Sequence, residues 1–259
     1  MKYIAVFTAT VSLFVLPIQF GASAYAQSGV CFDDAVQYEP QGFPQWLAAA
    51  DYDGDDYTDI AVLLYFVGEI VIFQNNGDGT FDSTGSLTVG QSANSMEAGD
   101  VDGDGYPDLL VANLHANSIS VYSNNGDGTF AASVDYPGVA DAGALVPADL
   151  DSDGDLDIAV ASFRRDGANV QVLINNGDGT FADPVSYMAG EFAVAIVAAH
   201  LNADTFLDLA VTNQFTDSIS VLINDGTGAF GLPETYPTGE EPIGLTAGDL
   251  NGDDRNDLI

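Results

Sequence analysis

The chain has 259 residues, 39 of them acidic and only four basic, and a formal charge of −35. A surface this acidic repels a phosphate backbone, which excludes nucleic acid as a partner. A hydrophobic content of 47% with 10% aromatics is too apolar for a disordered polyelectrolyte, and the single cysteine, Cys31, leaves no intramolecular disulfide.

The first predicted element is a leader. Lys2 supplies a positive start, residues 4–16 an apolar stretch that Pro17 ends, and Ala24-Tyr25-Ala26 a small-residue cleavage site. Residues 1–26 are therefore expected to be a signal peptide, and the product secreted or held at the cell surface. No later segment is long and apolar enough to span a bilayer. A secreted chain without disulfides needs another staple, and metal is the candidate.

Residues 27–259 repeat. Five acidic loops begin at Asp51, Asp100, Asp149, His200 and Asp249, at steps of 49, 49, 51 and 49. In phase with them runs a second motif, NNGDGTF at 75–81, 124–130 and 175–181, varied to NDGTGAF at 224–230. Its Asn-Gly and Asp-Gly pairs favour positive φ and mark tight turns. Its last residue, Phe81, Phe130, Phe181 or Phe230, lies 19 residues before the next acidic loop. Six residues after that Phe stands Leu87, Tyr136, Tyr187 or Tyr236.

Each unit reads as four short strands. A small-residue segment (46–50, 96–99, 145–148, 196–199, 245–248) leads into the acidic loop. An apolar run (59–65, 108–113, 157–162, 208–213) leaves it. An alternating segment (118–124, 169–175, 218–224) and a short piece from Phe to Tyr complete the unit. Four strands every ~40–50 residues is the blade pattern of an all-β propeller. The small first strand would crowd the axis, and the apolar second and third strands would fill the space between blades. Phe32 and Tyr38 share the Phe-to-Tyr spacing, so the chain after the leader is expected to begin on the last strand of a blade. Four full periods and a partial fifth are present, and the chain is expected to be a piece of a longer protein.

The loops have the chemistry of a hard-cation site. In 100–108, Asp100, Asp102 and Asp104 occupy positions 1, 3 and 5. Tyr106 at position 7 offers its backbone carbonyl, Asp108 stands at position 9, and Gly105 allows the sharp turn. Oxygens in this order suit Ca²⁺ better than Mg²⁺, which retains more water. The scarcity of Cys and His argues against zinc and copper. The same positions are Asp51, Asp53, Asp55, Tyr57 and Asp59 in the first loop, and Asp149, Asp151, Asp153, Asp155 and Asp157 in the third. The fifth has Asp249, Asn251, Asp253, Arg255 and Asp257, with the Arg255 cation expected to point away. The fourth, with His200 first and only Asp204 and Asp208 as acids, is expected to bind weakly or not at all. Position 12 lacks the Glu of an EF-hand, and the rhythm of nonapeptide calcium arrays is missing.

The loops DxDGDG..D, the steps Ala98-Gly99-Asp100 and Ala247-Gly248-Asp249, and the GTF turn resemble FG-GAP/VCBS-type repeats. These are the repeats of the integrin α-subunit propeller and its bacterial secreted relatives. The resemblance implies seven blades in a complete protein, a calcium loop between the first two strands of each blade, and the Asp residues at positions 1, 3, 5 and 9 as side-chain ligands. The expected function is a secreted, calcium-stabilised adhesion or ligand-binding module without enzymatic activity, its partner an extracellular protein or glycan. The alternative is a carbohydrate-binding or accessory domain of a secreted polysaccharide-acting enzyme. His115 and His200, the only histidines, have no nucleophile partner in sequence. Trp46 and Tyr65 are the aromatics considered for sugar stacking, though core roles are commoner for them.

Overall fold

Period-two alternation buries every other residue of a strand on one side of its sheet, so strands apolar at every position must be covered on both. The computed structural model, which describes residues 5–7, 36–38, 40, 42–90, 92–253 and 255–259, is built on that rule. Ala5–Phe7 (β1) pairs in parallel with Val36–Tyr38 (β2), a pairing that cleavage after Ala26 would remove. The cleavage site, Cys31 and Phe32 lie outside the described residues.

Four antiparallel four-stranded sheets follow, each in simple sequential order. The first holds Pro44–Ala50 (β3), Asp59–Leu64 (β4), Glu69–Asn75 (β5) and Phe81–Thr88 (β6). The second holds Ala93–Gly99 (β7), Asp108–Asn113 (β8), Ser118–Tyr122 (β9) and Val134–Pro137 (β10). The third holds Ala142–Ala148 (β11), Asp157–Ser162 (β12), Val170–Leu173 (β13) and Val185–Tyr187 (β14). The fourth holds Ala193–Ala199 (β15), Asp208–Asn213 (β16), Ser218–Leu222 (β17) and Glu234–Pro237 (β18). A short pair, Ala247–Gly248 (β19) and Asp257–Leu258 (β20), begins a fifth. The only helix among the described residues is one 3₁₀ turn, Gln214–Thr216.

These sheets are the blades of a β-propeller. Their first strands lie side by side, β3 against β7, β7 against β11, β11 against β15 and β15 against β19. Alanine and glycine suit that close approach, and a bulge near the start of each of the four long first strands adds local twist. Second strands are buried almost throughout, while last strands are mostly exposed. The core therefore sits between blades. Leu109 and Val111 join Leu63 and Ile72 of the first blade. Leu110 and Ala112, pointing the other way from the same strand, join Ile158 and Val160 of the third. Ala159 and Ala161 then meet Leu209 and Val211 of the fourth.

The last strand of one blade is tied to the 3–4 turn of the next. The Tyr136 hydroxyl donates to Gly179 O at 3.1 Å and its ring meets Phe181 edge to face at 5.2 Å. Tyr187 repeats this with Gly228 O and Phe230. Tyr38 takes the same place before the first blade, accepting the Phe81 N–H at 2.9 Å. At Leu87 the tyrosine is missing, and Tyr52 of the acidic loop meets Phe130 instead, at 5.5 Å.

Candidate metal centres

The acidic loops are the hairpins β3–β4, β7–β8, β11–β12, β15–β16 and β19–β20. Each of the first three turns through left-handed residues at positions 4 and 6: Gly54 and Asp56, Gly103 and Gly105, Ser152 and Gly154. The position-1 carboxylate organises this turn by accepting backbone N–H groups. Asp51 takes those of Gly54 and Asp56 at 2.8 Å, and Asp100 those of Gly103 and Gly105 at 2.9 Å. Position 5 accepts from the N–H of position 7, as from Tyr57 to Asp55 and from Tyr106 to Asp104, both at 2.9 Å.

In the first four loops the position-9 carboxylates are wholly buried and accept two backbone donors each. Asp108 takes the Val101 N–H at 3.0 Å and the Asn124 N–H at 2.8 Å. Asp59 serves Tyr52 and Asn75, and Asp157 serves Leu150 and Asn175. This role as a clasp between the hairpin and the third strand was not evident from the motif alone, because the second donor lies 16 or 18 residues downstream.

Carboxylate oxygens within 4.8 Å of one another come from Asp51, Asp53 and Asp59, from Asp100, Asp102 and Asp108, and from Asp149, Asp151 and Asp157. Asp55, Asp104 and Asp153 at position 5 stay outside these sets. The side chains at position 7, Tyr57, Tyr106 and Asp155, lie against Gly77, Gly126 and Gly177 of their own blade's turn and outside the three carboxylate clusters. At this separation two carboxylates repel by about 3 kcal/mol at an effective dielectric near 20. Burial, with that repulsion added, raises the pKa of Asp53, Asp102 and Asp151. Asp108 and Asp157 are pushed up to about 6, again chiefly by burial. Asp53 Oδ1 and Asp149 Oδ1 are buried without a hydrogen-bond partner. Crowded carboxylate oxygens, two of them without a partner and none beside a basic side chain, fit a divalent cation.

The other two loops are built differently. Neither Ala203 nor Thr205, at positions 4 and 6 of the fourth loop, takes a left-handed conformation. Its His200 Nδ1 lies 3.1 Å from the position-7 carbonyl of Phe206, and Asn202 donates to Asp204 at 2.8 Å. In the fifth loop the Arg255 guanidinium does not point away: it pairs with Asp253 at 3.1 Å, because that carboxylate is its nearest counter-charge. Asn251 Nδ2 reaches both oxygens of Asp257 at 3.5 Å. Among the described residues, neither loop gathers three acidic ligands. His115 is exposed in the turn after β8. Trp46 is half-buried and donates to Glu97, and Tyr65 packs on Phe66.

A family model for the FG-GAP-like repeat matches residues 51–111, 100–160, 149–211 and 200–259, every match starting on position 1 of an acidic loop. No curated protein matches the chain in sequence. Among solved structures, a lectin of Agrocybe aegerita that recognises non-reducing terminal N-acetylglucosamine is 24% identical, with a TM-score of 0.52 over 74% of this chain and 51% of the lectin's. BBS1N, solved in complex with ARL6DN, is 14% identical, with a TM-score of 0.55 over 81% of this chain and 58% of its own. A Lactobacillus plantarum protein is 16% identical, with a TM-score of 0.54 over 79% of this chain and 58% of its own. The chain thus spans between half and three-fifths of the length of these structures. At such identities the likeness establishes the fold alone.

Proposed function

The chain belongs to the FG-GAP-like repeat family, and from that premise we propose that it is a secreted, calcium-binding β-propeller serving as an adhesion or ligand-binding module, with the cation structural rather than catalytic. One observation carries the reading: three repeats bring the carboxylate oxygens of a buried Asp and two half-buried ones within 4.8 Å of one another, and two of those clusters contain a buried oxygen with no hydrogen-bond partner. Calcium suits them because every group offered is an oxygen and the loops are open hairpins. An ion there would act through the position-9 aspartates, whose backbone bonds clasp the hairpin to the third strand.

Secretion rests on the leader sequence. The absence of enzymatic activity is proposed because the clustered acids are absorbed by the loops and neither histidine has a nucleophile partner in the sequence. A carbohydrate partner is the second reading. It is favoured by the aromatic side chains gathered on the face opposite the acidic loops, and it fits a fold that a lectin also uses.

Thermal melting tests the cation. Extracellular calcium sites typically bind at 10⁻⁴–10⁻³ M, and each site filled at a hundred times its Kd adds about 2.7 kcal/mol. Saturating Ca²⁺ is expected to raise Tm by on the order of 10 °C over a chelator control. A Tm that ignores calcium would sink the reading.

A further inference from the structure

The third blade alone carries an insertion, and it places a cation where no carboxylate pairs with it. From the position-9 Asp to the Asn clasped to it is 16 residues in the first, second and fourth blades but 18 in the third. The two extra residues fall in the β12–β13 connection, on the face opposite the acidic loops. That connection carries Arg164 and Arg165, two of the three arginines. Arg164 is paired with Asp166, as Arg255 is with Asp253. Arg165 is the one described Lys or Arg without an ion pair, and its guanidinium lies 4.5 Å from the centre of the Phe215 ring.

Phe215 belongs to a stack. Phe192 lies 4.5 Å from it, and Phe163 packs parallel to Phe192 at 5.0 Å. Phe215 is 43% exposed. Phe192 has φ +61, a left-handed conformation that is strained for a bulky residue. At the same place in the third and fifth units stand Asp141 and Glu241, polar residues in the same conformation. The fold thus accepts strain to put a phenyl ring here. The loop is held by hydrogen bonds to its carbonyls: Phe192 N–H donates to Arg164 O at 2.8 Å, Ala189 N–H to Gly167 O at 2.7 Å, and the Asn169 side-chain Nδ2 to Arg164 O at 3.0 Å.

We propose that Arg165, Phe215, Phe192 and Phe163 form a binding site for a carboxylate-bearing glycan, a uronic acid residue whose carboxylate pairs with Arg165 while its C–H face rests on the phenyl groups. The surroundings are strongly acidic, so one isolated carboxylate on an otherwise neutral sugar is admitted where a dense polyanion is repelled. The patch is open and is not a sheet edge, which suits a flat ring better than an extended peptide. The proposal rests on the ligand-binding reading above and is independent of the calcium reading.

The test is calorimetric titration of the whole protein, in calcium and moderate salt, with a short glucuronate-bearing oligosaccharide, its carboxyl-reduced counterpart and a glutamate-rich peptide. The glucuronate is expected to bind, and the reduced sugar about ten-fold more weakly. R165Q should lose a similar factor with Tm unchanged. Phe192→Gly should weaken binding while raising Tm, the signature of strain held for function. Absence of glucuronate binding, equal binding of the reduced sugar, an R165Q variant that binds as the parent does, or tighter binding of the peptide would each overturn the proposal. Calcium response is scored separately on the same samples. A calcium-insensitive protein that still binds glucuronate sinks only the cation reading, and a calcium-stabilised protein that ignores it sinks only this one.

Discussion

Two aspartates show how much one residue carries in this protein. Asp108 and Asp157 are each the acceptor for two backbone amides and a member of an acidic cluster, with pKa values near 6. An unfolded aspartate titrates near 3.9. Without calcium the folded state therefore holds extra protons between about pH 4 and pH 6, and stability rises as pH falls from 7 toward 5. With calcium the sign reverses, because protonation removes ligands. The difference in Tm between calcium and chelator should shrink steadily from pH 7.5 to pH 5, and a constant difference would contradict these assignments. In saturating calcium, Asp108→Ala strands the Val101 and Asn124 N–H groups as well as losing the ion. It should cost about 3 kcal/mol or more in denaturant unfolding, beyond the effect of Asp102→Asn. The spacing of oxygens was legible in the sequence. The left-handed requirement at position 4 has a fainter signal, Gly or Ser there in the first three loops against Ala203 in the fourth.

At the scale of the element, strand order and blade boundaries follow directly from turn signals and apolar runs. What the pattern hides is compensation between elements. Leu87 reads as a lapse in the Phe-to-Tyr spacing, but Tyr52, in a different hairpin, supplies the missing ring against Phe130. The corresponding hairpin residues are smaller, Val101 beside Phe181 and Leu150 beside Phe230. Leu87→Tyr alone should overpack this junction by about 1–3 kcal/mol, and Tyr52→Leu alone should open a cavity of similar cost. The double variant restores the arrangement of the other blades and removes the buried, partnerless Tyr52 hydroxyl. A double-mutant cycle should return a favourable coupling of at least about 1 kcal/mol. Additive losses would mean that the two side chains do not share the junction.

Over the whole molecule, the blades form a chain of neighbours with a direction. The turn of each blade rests on the acidic loop of the blade before it. Asn124 Nδ2 donates to Tyr52 O, Asn175 Nδ2 to Val101 O and Asn224 Nδ2 to Leu150 O, at 2.7–3.0 Å across 72–74 residues. A glycine of the same turn lies over the position-3 aspartate, as Gly179 does over Asp102 and Gly228 over Asp151. Repeat proteins distribute stability over such junctions, and here the junction includes the candidate ion. Asp151→Asn should therefore loosen the fourth blade's turn and leave the second blade's untouched. In native-state hydrogen exchange with calcium present, the amides of Asp225 and Gly226 should exchange about ten-fold faster, the equivalent of about 1.4 kcal/mol, while those of Asn125 and Gly126 keep their rates. Equal acceleration in both turns would show that the loop stabilises the array without direction. The period predicts the array. Its direction depends on contacts more than one repeat apart, between an Asn side chain and a carbonyl, and neither partner carries that pairing in its local sequence.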